Sequence, residues 1–245
     1  MKLKFTKVKG IYQIGKAPLL TGISCLLAVS ISSCAKSSNN PNTTTAPFGV
    51  LSVVAAAPDA PAADFYINSS LVNAAPLIYG NYLPYFRLIT GSVKAGFFDT
   101  GGLTPIAIDT INIKANQAYT LFFANTAAKH DLVFVNDTVV TPANSGASIR
   151  LANMSPDAPN IDLVISGKVI IANKSYKQVS SFISIPNEPN DTLKIVQTGT
   201  QNVLASVTAV TIPSGGVFTI WLYGLANGTP DQALKANLME NALFY

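Results

Sequence analysis

Val53-Val54-Ala55-Ala56-Ala57-Pro58-Asp59-Ala60-Pro61-Ala62-Ala63-Asp64 returns 98 residues later as Leu151-Ala152-Asn153-Met154-Ser155-Pro156-Asp157-Ala158-Pro159-Asn160-Ile161-Asp162. The chain is a tandem duplication. Leu51 and Phe65 map onto Ile149 and Leu163, so the correspondence covers the segment before the Pro-Asp-Ala-Pro turn and the one after it. A second match, Tyr119-Thr120-Leu121-Phe122-Phe123 against Phe218-Thr219-Ile220-Trp221-Leu222, lies at an offset of 99. For 245 residues two domains follow, each near the usual size of about 100 residues.

Around the repeat the dominant period is two. Leu51, Val53 and Ala55 alternate with Ser52 and Val54, and Ile149, Leu151 and Asn153 with Arg150 and Ala152. Beyond the turn, Ala63, Phe65 and Ile67 alternate with Asp64, Tyr66 and Asn68, as Ile161, Leu163 and Ile165 do with Asp162, Val164 and Ser166. This is the pattern of strands with one apolar face turned to a core. Further strands are expected at 86–90, 106–113, 132–135, 181–185, 192–197 and 205–212, separated by Gly, Pro and Asn. The expected fold is all-β: two tandem antiparallel β-sandwiches of immunoglobulin or transthyretin-like type, at 48–143 and 148–245, with the junction in Pro142-Ala143-Asn144-Ser145-Gly146. Only 229–237 would admit a helical turn. Trp221 falls on the opposite face from Phe218, Ile220 and Leu222, so both faces of its strand need cover.

The N-terminus sets the compartment. Lys2, Lys4, Lys7, Lys9 and Lys16 precede an apolar run that ends at Ile31-Ser32-Ser33-Cys34. A charged n-region, an apolar stretch and small residues before the cut are the parts of a secretory signal, and Ile-Ser-Ser-Cys resembles a lipobox, cleaved before a diacylated cysteine. Residues 1–33 are therefore read as a lipoprotein signal peptide and Cys34 as the lipidated terminus. The apolar run is shorter than the roughly 20 residues a membrane span requires. Residues 34–47 are polar and aperiodic, a flexible tether whose dozen residues would span roughly 20 Å. The expected location is the cell envelope, lipid-anchored at the outer membrane, on either its periplasmic or its surface face.

Five of the 16 basic residues and none of the 12 acidic ones lie in the signal, so 11 basic and 12 acidic side chains remain after it. That balance offers no face for nucleic acid. Cys25 leaves with the signal and Cys34 is acylated, so no thiol remains for a disulfide, a metal or nucleophilic catalysis. His130 is the single histidine, Glu188 and Glu240 are the only glutamates, and Gly-x-Ser-x-Gly does not occur. Asp59 with Asp64, and Asp157 with Asp162, give two carboxylates per copy, too few for calcium, which takes six to eight oxygens. No catalysis, cofactor or metal is expected.

The two motif segments resemble the domain of unknown function 4397 family, whose members often open on a pattern like V-V-H-A-S-P-D-A-P-x-V-D-V-Y. The resemblance implies a β-sandwich and an envelope location, with no established activity. The histidine frequent before the motif is replaced here by Ala55 and Asn153, so a role for it does not carry over. Physically the motif is a structural turn: Pro58, Pro61, Pro156 and Pro159 fix φ near −65°, and Asp59, Asp64, Asp157 and Asp162 can accept hydrogen bonds from nearby backbone N–H groups.

Three features bear on partners. Tyr79, Tyr82, Tyr85 and Phe86 crowd a long connection of the first copy, where the second has only Tyr176 and Phe182. Such a cluster is a candidate for stacking on sugars or on a partner protein, against the alternative that it packs over its own sandwich. The favoured function is therefore structural or interactive. A glycan- or protein-binding surface at 79–86 is the alternative, on a chain expected to be a monomer. Asp109-Thr110-Ile111, Asp137-Thr138-Val139 and Asp191-Thr192-Leu193 resemble an acceptor pattern for O-glycosylation of some bacterial envelope proteins. Glycans on Thr110, Thr138 and Thr192 should appear as mass above that of the acylated polypeptide and disappear in the triple Thr→Val variant. An intact mass equal to the acylated polypeptide alone removes the idea.

Overall fold

A computed structural model describes residues 46–102, 104–139, 141–142, 146–186 and 191–243. The expected signal peptide, Cys34 and the expected tether apart from Ala46 and Pro47 lie outside them. Among the described residues sixteen strands are formed: β1 (Phe48–Ala55), β2 (Ala63–Ile67), β3 (Ser70–Leu71), β4 (Tyr82–Ile89), β5 (Gly91–Asp99), β6 (Pro105–Ile113), β7 (Ala118–Ala124) and β8 (Asp131–Asn136) in the first copy, then β9 (Ala147–Asn153), β10 (Ile161–Ile165), β11 (Lys168–Lys174), β12 (Ile183–Ile185), β13 (Asp191–Gln197), β14 (Val203–Val210), β15 (Gly216–Tyr223) and β16 (Lys235–Leu243) in the second. Among the described residues the helical content is one 3-10 turn at Ala127–Lys129, and 229–237 holds turns leading into β16.

Each copy is a sandwich of two four-stranded sheets. In the first, β4-β1-β7-β8 faces β3-β2-β5-β6; in the second, β12-β9-β15-β16 faces β11-β10-β13-β14. Leu51, Val53, Phe65, Phe97, Leu121 and Phe123 fill the first core, with the Phe97 and Phe123 rings stacked at 4.6 Å. Ile149, Leu151, Leu163, Ile195, Ile220 and Leu222 fill the second. Pairing is antiparallel except at β1–β7 and β9–β15, which run parallel. A parallel pair needs a long crossover, and here the chain passes through the opposite sheet, and forms the edge strand of the same sheet, before it returns.

The expectation of one buried face for the motif strands is corrected. Leu51 to Ala55 are all 6% exposed or less, and every residue of β9 is buried, Arg150 included. The inward set meets its own sandwich's core, while the other set meets the second sandwich. Val54, Ala56, Phe122 and Ala124 from the first copy and Ala152, Met154, Trp221, Tyr223 and Met239 from the second form a third apolar cluster. The protein is thus a four-layer stack whose two inner sheets press together, and this supplies the cover that Trp221 requires.

The inner sheets meet through equivalent surfaces. Leu51 pairs with Phe86 as Ile149 pairs with Ile183, which aligns Tyr85 with Phe182. Ser52 pairs with Thr120 as Arg150 pairs with Thr219. Tyr119 pairs with Asn136 as Phe218 pairs with Glu240, which aligns Asp137 with Asn241. Ala124 pairs with Asp131 as Tyr223 pairs with Lys235. Contacts across the seam are reciprocal in this alignment: the Tyr79 ring lies 5.6 Å from the Lys235 amine, and its counterpart Tyr176 donates to Asp131, the counterpart of Lys235. The arrangement is that of an isologous dimer, with an approximate two-fold axis, built into one chain.

Strands absent from the expected set have local reasons. β5 carries Gly91 and Gly96, poor strand formers, yet a Cβ at Gly96 would sit 2.8 Å from the Phe98 ring and 3.2 Å from Ile108. The β10–β11 hairpin turns on Ser166 and Gly167, at φ 48° and 75°, the two left-handed residues of a tight two-residue turn. Truncating a fully buried core side chain, Leu121→Ala or Leu163→Ala, should cost about 2–5 kcal/mol in urea unfolding; a loss under about 1 kcal/mol would contradict this packing.

Candidate functional site

The motif carboxylates act at longer range than a local turn cap. Asp157 accepts the backbone N–H groups of Ala226 (2.7 Å) and Asn227 (3.1 Å), which pins the β15–β16 connection to the motif turn. Asp64 accepts Gly101 N–H at 2.8 Å, and Asp162 accepts Asn173 N–H at 2.7 Å and the Thr198 hydroxyl at 2.6 Å. Asp59 sits exposed in the turn that Pro58 opens. Asn153, at the position of the family's histidine, accepts Ser155 N–H and donates to Lys174 O. Among the described residues no three His, Cys, Asp or Glu side chains gather as a metal site would require.

The aromatic cluster is not a free loop. Tyr82, Tyr85 and Phe86 are residues of β4, and Tyr79 lies just before it. Phe86 packs edge-on against Phe65 at the first core. Tyr82 meets Trp221 across the seam at 6.1 Å, and Tyr79 meets Tyr223 at 5.0 Å. The chain passes beneath Tyr223 at Gly80, whose φ is +84° and whose missing Cβ would lie 2.8 Å from the Tyr223 hydroxyl. In the second copy Lys177 takes the corresponding left-handed position, at φ 65°.

Tyr85 leads to the main polar feature of the molecule. Its hydroxyl donates to Asp137 Oδ2 at 2.6 Å, and Thr120 Oγ1 donates to the same oxygen at 2.6 Å. Asp137 Oδ1 has no further donor and is held by the charge of Arg150 Nη1, 2.6 Å away across the seam. The two side chains are 0% and 2% exposed. Arg150 Nε donates to Thr219 Oγ1 (2.7 Å) and Nη2 to Thr120 Oγ1 (3.2 Å). Thr219 donates to Asn241 Oδ1 (2.6 Å), and Asn241 Nδ2 returns to Tyr85 Oη (2.7 Å), closing the ring. The guanidinium also lies 4.6 Å from the centre of the Phe182 ring. A buried ion pair is tolerable when its remaining hydrogen-bonding capacity is met, and each neighbour here serves that end. At the other margin Asp131 accepts Tyr176 (2.7 Å), Lys177 (2.6 Å) and Asn125 (3.0 Å).

A cleft of about 320 Å³ opens at the seam beside Arg150 and Phe182, with Asn136, Thr138, Ser180 and Ser181 on its walls. Of the three candidate glycan acceptors, Thr138 is exposed at this cleft and Thr110 is exposed on the edge strand β6, while Thr192 on β13 is half-buried. Asp137, which the sequence presents as part of an acceptor tripeptide, is committed to the ion pair. Alternation along the strand does not single out Arg150; its mark in the sequence is that it is the one charged residue of β9.

Fold and seam together define a tandem β-sandwich protein whose copies dock through like faces. The model of the family described as domain of unknown function DUF4397 matches residues 49–164 and again 147–243, and the chain belongs to that family. No curated protein matches it. Among solved structures, a streptococcal virulence factor described for alpha-glucan binding is 12% identical over 77% of this chain and 97% of that one, with a TM-score of 0.24. Family 41 carbohydrate-binding modules from streptococcal virulence factors, described for alpha-glucan recognition, are 8% identical over 77% and 96%, with a TM-score of 0.22. Likenesses of that size carry no argument about this chain.

The seam has a pH signature. Burial raises the hydroxyl pKa of Tyr79, Tyr82, Tyr85, Tyr176 and Tyr223 above the ordinary 10.0, with Asp137 adding to it at Tyr85 and Asp131 at Tyr176. The unfolded chain then ionises first, so this stabilisation is intact below pH 10.0 and is lost as pH rises above it. For Asp131 burial works to raise the pKa, but the bonds from Lys177, Tyr176 and Asn125 outweigh it and leave it below 3.8. That contribution is present above pH 3.8 and is lost as pH falls below it. Absorbance titration should show tyrosines that ionise only together with alkaline unfolding, and Asp131→Asn should flatten the acid limb of the stability profile. Titration of Tyr79, Tyr82, Tyr85, Tyr176 and Tyr223 together near pH 10.0 in a folded protein would contradict the seam.

Proposed function

We propose that this chain is a lipid-anchored cell-envelope protein with a structural or interaction role and no chemistry of its own, held at the outer membrane by acylated Cys34. The observation that carries the reading is the use made of the inner-sheet polar groups. Asp137, Arg150, Thr120, Thr219, Tyr85 and Asn241 satisfy one another inside the seam, an arrangement that fixes two domains as one body. Such a body on a tether suits display of its outer sheets to a neighbour in the envelope, and the N-terminal pattern supplies the anchor.

The alternative is a glycan- or protein-binding surface at 79–86. What favours it is that Tyr79, Tyr82, Tyr85 and Phe86 keep part of their surface exposed. What weighs against it is that each already holds a contact within the chain.

Fractionation tests the anchor. The native chain should sediment with membranes and carry fatty acyl groups on Cys34 by mass spectrometry, whereas Cys34→Ala should remain unacylated and uncut. An unmodified Met1 start on the mature wild-type product overturns the reading. A glycan array in which the wild-type chain binds and Tyr82→Ala does not would favour the alternative.

A further inference from the structure

The seam is built from equivalent faces, yet its charges are not equivalent. In the alignment of the copies, Arg150 corresponds to Ser52, Asp137 to Asn241 and Tyr85 to Phe182, whereas Thr120 and Thr219 correspond to each other. The first face therefore carries a carboxylate with its own donors, Tyr85 and Thr120. The second carries a guanidinium with its own supports, Thr219 and Phe182.

We propose that the seam is a charge-coded docking surface in which a first-sandwich face accepts only a second-sandwich face, the one carried by its own chain. The approximate two-fold axis shows what like-with-like pairing would bury. Two first faces would set Asp137 against Ser52, twice, an anion opposite a neutral side chain. Two second faces would set Arg150 against Asn241, twice, a cation opposite a neutral side chain. Both charges are shut off from water in the seam, at 0% and 2% exposure, and a buried charge without its partner is strongly disfavoured. The mixed pairing alone joins the charges, so the apolar cluster around Trp221, Phe122 and Met239 gives adhesion while the ion pair gives selection.

The test uses full chains in detergent. Asp137→Arg faces two cations across the seam and Arg150→Asp faces two anions, so each variant should open, with a larger radius of gyration than wild type, and stay monomeric. Mixed at equal concentration they should associate, because each chain then offers the opposite charge to the other's complementary face. The register is read with a short thiol cross-linker, with Ser52→Cys added to the first variant and Met239→Cys to the second, since these side chains meet at 3.2 Å across the native seam. The expected product is a cross-linked species of twice the chain mass that forms only in the mixture. A single variant that stays closed, one that self-associates, or opened variants that do not cross-link on mixing would overturn the proposal. Should a single variant fail to fold, the double variant Asp137→Arg/Arg150→Asp decides: a closed monomer supports the code, and an open or unfolded one refutes it.

Discussion

Asp137 and Arg150 meet at 2.6 Å between two sheets, and the arrangement of the two sandwiches depends on that contact. Removing two ions from water is costly, and attraction repays it only where the leftover donors and acceptors are also met. The ring through Tyr85, Thr120, Thr219 and Asn241 does this with groups drawn from β4, β7, β15 and β16. Around it the cluster of Val54, Phe122, Ala152, Trp221 and Met239 excludes water. The apolar part is tolerant of partner; the ion pair fixes which face meets which and in what register.

Duplication explains how one chain came to hold such a seam. A surface that packs against its own copy is self-complementary, and reciprocal contacts such as Tyr79 with Lys235 and Tyr176 with Asp131 preserve that relation. The copies have diverged where the axis brings them together: a serine faces the role of an arginine, and an asparagine that of an aspartate. Positions inside each sandwich kept their character, with Leu51, Val53 and Phe65 matched by Ile149, Leu151 and Leu163. Divergence at the seam and constancy in the cores fit a surface under a pairing requirement and cores under a packing one.

Much of the fold was legible before any coordinates. The period of two around each Pro-Asp-Ala-Pro turn gave the inward sets of β1, β2, β9 and β10, and the unmatched Trp221 pointed to a second layer of cover. The aromatic group at 79–86 contains Asn81 and Pro84, residues that disfavour a strand, yet Pro84 lies on an edge strand, where a missing N–H is tolerated. Arg150 could not be read as buried, because alternation assigns a face without saying whether water or another domain lies beyond it.

Sequence alone determined that there are two copies, that each is a β-sandwich, and which side chains enter each core, because those are consequences of repetition and of a local two-residue period. Only the tertiary structure decided that the outward sets are themselves buried, that Asp137 pairs with Arg150, and that Tyr85 serves that pair. Those facts depend on how two folded surfaces dock, and docking joins residues that no periodicity along the chain relates.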